Sequence, residues 1–298
     1  MTQNEQTAKA LDPKSKQKLF FGLFVFPLLI AVGMAVLLCT IVLLTNEEET
    51  PETLITSIKT GAPSKRWQKA FELSNELNSK TQTTIRQTGI LKEAIHILGE
   101  KEHYDSKTRA YMAMTVGRFH TDEALMALHK ALTEVDVKND DAVLPIFLMW
   151  SIGNFENPRS AEIIKPFLES EDPALRKTAA YALGALKNPS VIPDLARRLD
   201  DLEPDVQWNA ALSLARLGSS DGAETLFKMI DRNYLEKASN LAHDRVEAVM
   251  VNAAKGLALL NLSSAQTTLE NISKTDPSMK VRQAAISALQ TLSSQVSL

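Results

Sequence analysis

Five histidines, one cysteine and acidic pairs such as Asp140-Asp141 and Asp200-Asp201 are the side chains with chemistry to offer in this chain. Their spacing offers little. His96, His103, His120, His129 and His243 contain no i, i+4 pair, the arrangement by which one helix face presents two imidazoles to a metal. Cys39 stands alone inside an apolar run, which excludes a disulfide framework, a thiolate metal site and a nucleophile for soluble substrates. Among the eleven glycines the nearest pair is Gly218 and Gly222, so no Gly-x-Gly loop cradles a phosphate, and there is no Gly-x-Ser-x-Gly elbow. Asp140-Asp141 and Asp200-Asp201 fall where helices should meet and are read as caps and turn closers. The expectation is no catalytic residue, no metal and no cofactor.

Charge narrows the partner. A surface that neutralises nucleic-acid phosphates needs a surplus of lysine and arginine. Residues 46–298 hold 29 of the 33 Lys/Arg and 34 of the 36 Asp/Glu, a net of −5, which argues against nucleic acid. Apolar residues make up 44 % of the chain and aromatics only 6 %, so alanine and leucine carry the core, as close-packed helices require.

The elements that must position any site announce themselves by repetition. One phrase returns as LRKTAAYALGAL at Leu175–Leu186, VQWNAALSLARL at Val206–Leu217 and VRQAAISALQTL at Val281–Leu292. Aligning it gives anchors at Gly117, Gly153, Gly184, Ala215, Ala258 and Gln290, spaced 36, 31, 31, 43 and 32 residues apart. Such a period marks stacked helical pairs. Arg66–Leu77 supplies a further first helix upstream. Second helices follow at Ala124–Leu132, Ser160–Leu168, Val191–Leu199 and Ala223–Ile230, each with apolar residues at i, i+3 and i+4. No period-two pattern competes. The fold expected is all-α, a right-handed α-solenoid of about six to seven units over residues 62–298.

These residues resemble HEAT repeats of the short subclass named after phycobilisome lyases, on Arg176, Ala179, Ala180, Ala182, Leu183 and Gly184, followed by Pro193, Leu195, Leu199 and Asp200. The resemblance spans about residues 62–298 and is strongest over 172–232. It implies a scaffold that binds protein partners; a minority of the subclass are bilin lyases or metal-dependent hydroxylases. The hydroxylase branch depends on His-Glu dipeptides, whereas the histidines here precede Ile97, Tyr104, Thr121, Lys130 and Asp244.

Ahead of the repeats, Leu19–Leu44 is 26 residues without a charge. As a helix it would rise ~39 Å, more than a bilayer core of ~30 Å needs. It exceeds the apolar core of a cleaved signal, and Leu43-Leu44-Thr45-Asn46 offers no small-x-small cleavage site. The reading is a retained anchor at 19–44 behind a cytoplasmic tail at 1–18, with a linker at 45–61 that holds a short helix from Pro51. Lys9, Lys14, Lys16 and Lys18 precede the run, and only Lys59 follows closely, so the solenoid is expected on the extracytoplasmic (periplasmic) side of the cell membrane.

One surface feature stands out. A 100° wheel sets Leu175, Ala179, Ala182, Leu183 and Leu186 on the buried face and Lys177, Tyr181 and Gly184 opposite them. Reading those slots through units two to five gives Ala110, Met114 and Gly117, then Ile146, Trp150 and Gly153, then Tyr181, then Trp208, Leu212 and Ala215. An apolar row in slots expected to face solvent on a convex side suggests a docking stripe for a protein partner, formed by Met114, Ile146, Trp150, Tyr181, Trp208 and Leu212. A second irregularity is the 43-residue spacing, where Asn233–Asp244 either adds to a binding face or lengthens a second helix. The function expected is a membrane-anchored scaffold or adaptor without catalysis; the alternative is a lyase-like or chaperone-like protein acting on a small cofactor or its carrier.

Overall fold

A computed structural model describes residues 20–45, 50–81, 89–136, 141–238 and 241–296; the tail expected at 1–18 lies outside them. Two units result, Met1–Thr50 and Pro51–Leu298.

In the first unit a π-helical turn, Phe21–Val25, runs into α1, Phe26–Thr45. Pro27 explains the turn. Its ring nitrogen cannot donate and its ring displaces the carbonyl four residues back, so the ladder widens and the Phe26 N–H reaches Phe21 O. Phe21–Ile41 is long and apolar enough to cross a membrane, and its apolar side chains are exposed.

The second unit contains α2 (Pro51–Thr60), α3 (Pro63–Asn78), α4 (Ile90–Gly99), α5 (Ser106–Gly117), α6 (Asp122–Thr133) and α7 (Val143–Gly153). After α7 come α8 (Ala161–Ile164) between two 3₁₀ turns, α9 (Pro173–Ala185), α10 (Ile192–Arg197) and α11 (Pro204–Arg216). The last elements are α12 (Ala223–Ile230), α13 (Arg232–Ala238), α14 (His243–Leu259), α15 (Ser263–Thr275) and α16 (Met279–Val296). No strand occurs among the described residues.

First helices α3, α5, α7, α9, α11, α14 and α16 pack side by side in one layer, with second helices behind them, as stacked helical pairs do. Helix α2 is part of this body. It buries Leu54, Ile55 and Ile58 and packs on α3, so the short helix expected from Pro51 contributes to the core and the body begins before residue 62.

Helices α5, α7, α9, α11 and α14 stop in the same way. Three residues past the anchor, the chain turns left-handed at His120 (φ 47°), Glu156 (50°), Lys187 (56°), Gly218 (78°) and Asn261 (46°). That conformation satisfies the last carbonyls of a helix and favours glycine, yet glycine fills only one of the five positions.

Four of the six anchored first helices are also clasped from behind. Eight residues before the anchor, a long side chain reaches the end of the preceding helix or the loop after it: Arg109 Nε donates to Leu98 O, Arg176 Nη1 to Ser170 O and Glu171 O, Gln207 Nε2 to Asp201 O, and Arg282 Nη1 to Asp276 O and Pro277 O. Arg176 also forks onto Asp201 at 2.8 and 2.9 Å, and Arg232 onto Asp276 at 3.1 and 2.8 Å. The Arg176 guanidinium holds the Asp201 carboxyl below its usual pKa, and the Arg176 pKa rises in turn. Asp201 and Asp141 accept from the backbone N–H groups of Glu203 and Val143, which makes them turn closers. Asp140 lies outside the described residues.

The long spacing is neither a second helix extended nor a loop. The Asp231 carboxylate caps Asn233 and Tyr234, breaking the chain after α12 and starting the separate helix α13, which buries Leu235.

A recess on the first-helix layer

Met114 on α5, Ile146 and Trp150 on α7, Tyr181 on α9, and Trp208 and Leu212 on α11 converge on one recess of about 540 Å³. The row anticipated from the wheel therefore meets in one place, together with Phe147 and with Val249 of α14. Five consecutive first helices share it: α5, α7, α9, α11 and α14.

Within the row the six residues differ. Trp150 is 41 % exposed, but Trp208 is only 8 % exposed and packs with Ala211, Val249 and other core residues. Trp208 is a wall of the recess and a member of the core at once, not a free docking aromatic. The third slot of the row is not surface at all. Gly117, Gly153, Gly184 and Ala215 are buried between neighbouring first helices. A Cβ on Gly117 would meet Ser151 Cβ at 3.0 Å, one on Gly153 the Ala182 Cα at 3.3 Å, and one on Gly184 would overlap the Ser213 hydroxyl. The small anchor is thus a spacing device between helices.

Helix α14 packs on α11 less closely than other first helices pack on their neighbours. Met229 of the second layer then lines the recess through the gap.

The rim carries charge that the apolar pattern does not reveal. Asp205, in the first turn of α11, bridges Lys177 of α9 (3.7 Å) and Arg245 of α14 (2.5 Å). All three side chains are more than a third exposed. The Arg216 guanidinium lies over the Tyr181 ring, 4.9 Å from its centroid, a cation–π contact. Lys177 stood in the wheel slots; Asp205 and Arg245 are found only because three helices bring them together. Beyond the recess, rings continue edge to face from Phe147 to Tyr111 (5.5 Å) and from Tyr111 to Phe71 of α3 (5.3 Å).

Groups suited to catalysis are placed elsewhere. His129 Nε2 lies 2.9 Å from Ser160 Oγ, but Ser160 is fully buried, out of reach of a soluble substrate. Burial lowers the His129 pKa, which favours the neutral imidazole that such a hydrogen bond uses. Among the described residues no three of His, Cys, Asp and Glu come together to hold a metal.

The family model for HEAT repeats matches residues 137–203 and 163–240, so this central stretch, which includes α7, α9 and α11, consists of HEAT repeats. Among solved structures, the complex of CpcE and CpcF of phycocyanin lyase from Nostoc sp. is 16 % identical with a TM-score of 0.55, covering 83 % of this chain and 96 % of that one. At that identity the likeness is one of fold. Human deoxyhypusine hydroxylase in complex with glycerol (13 % identity, 82 % of this chain and 96 % of that one, TM-score 0.36) and an engineered protein (20 %, 82 % and 96 %, TM-score 0.38) overlap too loosely to carry an argument. No curated protein sequence matches.

Proposed function

We propose that this chain is a membrane-anchored HEAT-repeat scaffold that docks a protein partner in the first-helix recess, with no catalysis of its own. One observation carries the reading: a half-open apolar recess runs across five first helices, with Trp150 41 % exposed at its edge. Large apolar recesses with a charged rim mark binding surfaces, and aromatics are the residues that dominate them. The apolar helix over Phe21–Ile41 would tether the scaffold to the membrane, and the four lysines before it favour an extracytoplasmic body.

The test is a photo-crosslinking amino acid at Trp150 in the full-length protein in its native membrane. Capture of one protein from Trp150, and not from exposed Met126 on the second layer (71 % exposed), is the expected result. Equal capture from both positions, or none from either, overturns the reading.

A second reading has its own support. A volume of about 540 Å³ also suits a small ligand, and the Nostoc relative in fold is named a lyase. On that reading the purified protein would carry a co-purifying small molecule, detected by absorbance or mass spectrometry after denaturation.

A further inference from the structure

The nature of the occupant can be argued from the lining, taking the protein-docking reading as premise. We infer that the recess receives an amphipathic helix of the partner carrying acidic side chains on one flank, and that Asp205 stands in for the partner's carboxylate when the recess is empty.

The track is long. The recess runs from α5 to α14, and the aromatic contacts Phe147–Tyr111–Phe71 carry the apolar surface on to α3. Helices pack 8–10 Å apart, so the axes of its outermost walls, α5 and α14, stand roughly 30–40 Å apart, the length of a helix of 20 residues or somewhat more. A small ligand would leave most of this track uncovered.

The backbone chooses helix over strand. Every wall is an α-helix whose N–H and C=O groups bond within the helix, and the Asn209 side-chain amide is already donated to Asp205 O. An extended peptide on this floor would bury backbone groups without partners, whereas a helix satisfies its own.

Charge chooses the flank. The body is net −5, yet the recess is rimmed by Lys177 and Arg245, with Arg216 over Tyr181, against the single acid Asp205. Asp205 bridges Lys177 and Arg245 from a half-exposed position, where a carboxylate from outside can replace it.

The probes are two synthetic peptides of about 18 residues with Leu and Phe at i, i+3, i+4 and i+7, one flanked by Glu and one by Lys. Binding to the full-length protein in nanodiscs is read by fluorescence anisotropy, with empty nanodiscs as the blank. The Glu peptide is expected to bind about tenfold tighter than the Lys peptide or better, a margin that shrinks with salt. Asp205→Asn should tighten the Glu peptide several-fold, and Lys177→Gln with Arg245→Gln should abolish the preference. Equal binding, a preference for the Lys peptide, or an Asp205→Asn variant that binds the Glu peptide no better overturns the inference. Stoichiometric displacement of the Glu peptide by laurate also overturns it, because the site would then serve a small anionic amphiphile. Failure of the Glu peptide alongside protein capture from Trp150 sinks the acidic helix and leaves the scaffold reading standing; failure of both sinks the two together.

Discussion

Gly184 of α9 faces Ser213 of α11 so closely that a Cβ added to the glycine would overlap the serine hydroxyl, which itself donates to Ala180 O at 2.8 Å. The contact recurs along the stack: the anchors Gly117, Gly153 and Gly184 meet Ser151, Ala182 and Ser213, each two residues before the next anchor. It is the reason the repeated phrase carries a small residue at its anchor.

Gly184→Ala should therefore cost about 1–3 kcal/mol of stability, because the methyl forces α9 and α11 apart in a close-packed layer. Gly153→Ala, whose Cβ would meet Ala182 at an uncomfortable but tolerable 3.3 Å, should cost less. Urea unfolding of the two variants in detergent ranks them. A Gly184→Ala protein as stable as the parent would show that the repeats tolerate wider spacing.

The two tryptophans of the recess should separate under truncation. Trp208→Ser, at a buried site, should lower stability by about 3–5 kcal/mol. Trp150→Ser should leave the melt within about 0.5 kcal/mol of the parent, yet remove ~2 kcal/mol or more of partner binding. Thermal melts of the single variants decide between the roles before any partner is identified.

The Arg176–Asp201 pair should give acid sensitivity. The folded-state pKa of Asp201 is depressed, so its contribution is complete above the unfolded carboxylate pKa and is lost as pH falls through the lower folded value. Asp201→Asn should destabilise the protein at neutral pH by about 3 kcal/mol, since the part-buried Arg176 loses its partner. The variant should also lose less stability than the parent on acidification below pH ~4. Unfolding free energies of both proteins from neutral pH into the acid range measure this directly.

Lys187 sits at φ 56°, where a side chain is strained, and its ion-pair partner Glu156 is exposed and itself left-handed. Lys187→Gly should raise stability by up to about 1 kcal/mol, because relief of the strain outweighs an exposed ion pair. A lower melting temperature for the variant would show that the ion pair matters more than the backbone.

Topology is open to a chemical test. With Cys39 replaced by Ser, a single cysteine at exposed Met126 should react with a membrane-impermeant maleimide in intact cells. Labelling only after lysis would put the repeats in the cytoplasm.

The sequence by itself determined that this chain is helical, that its helices repeat, that one apolar segment precedes them, and that Met114, Ile146, Trp150, Tyr181, Trp208 and Leu212 share one direction. These are properties of single helices, legible because apolar spacing records which way a side chain points from its own axis. What stands opposite that direction is set by the neighbouring helix, and a wheel contains no neighbour. Only the tertiary structure therefore decided that Trp208 is walled in by α14, that the glycine anchors are contacts rather than surface, and that α2 belongs to the core. Only the packing of α9 on α11 and of α11 on α14 brings Lys177, Asp205 and Arg245, from three repeats, to one rim.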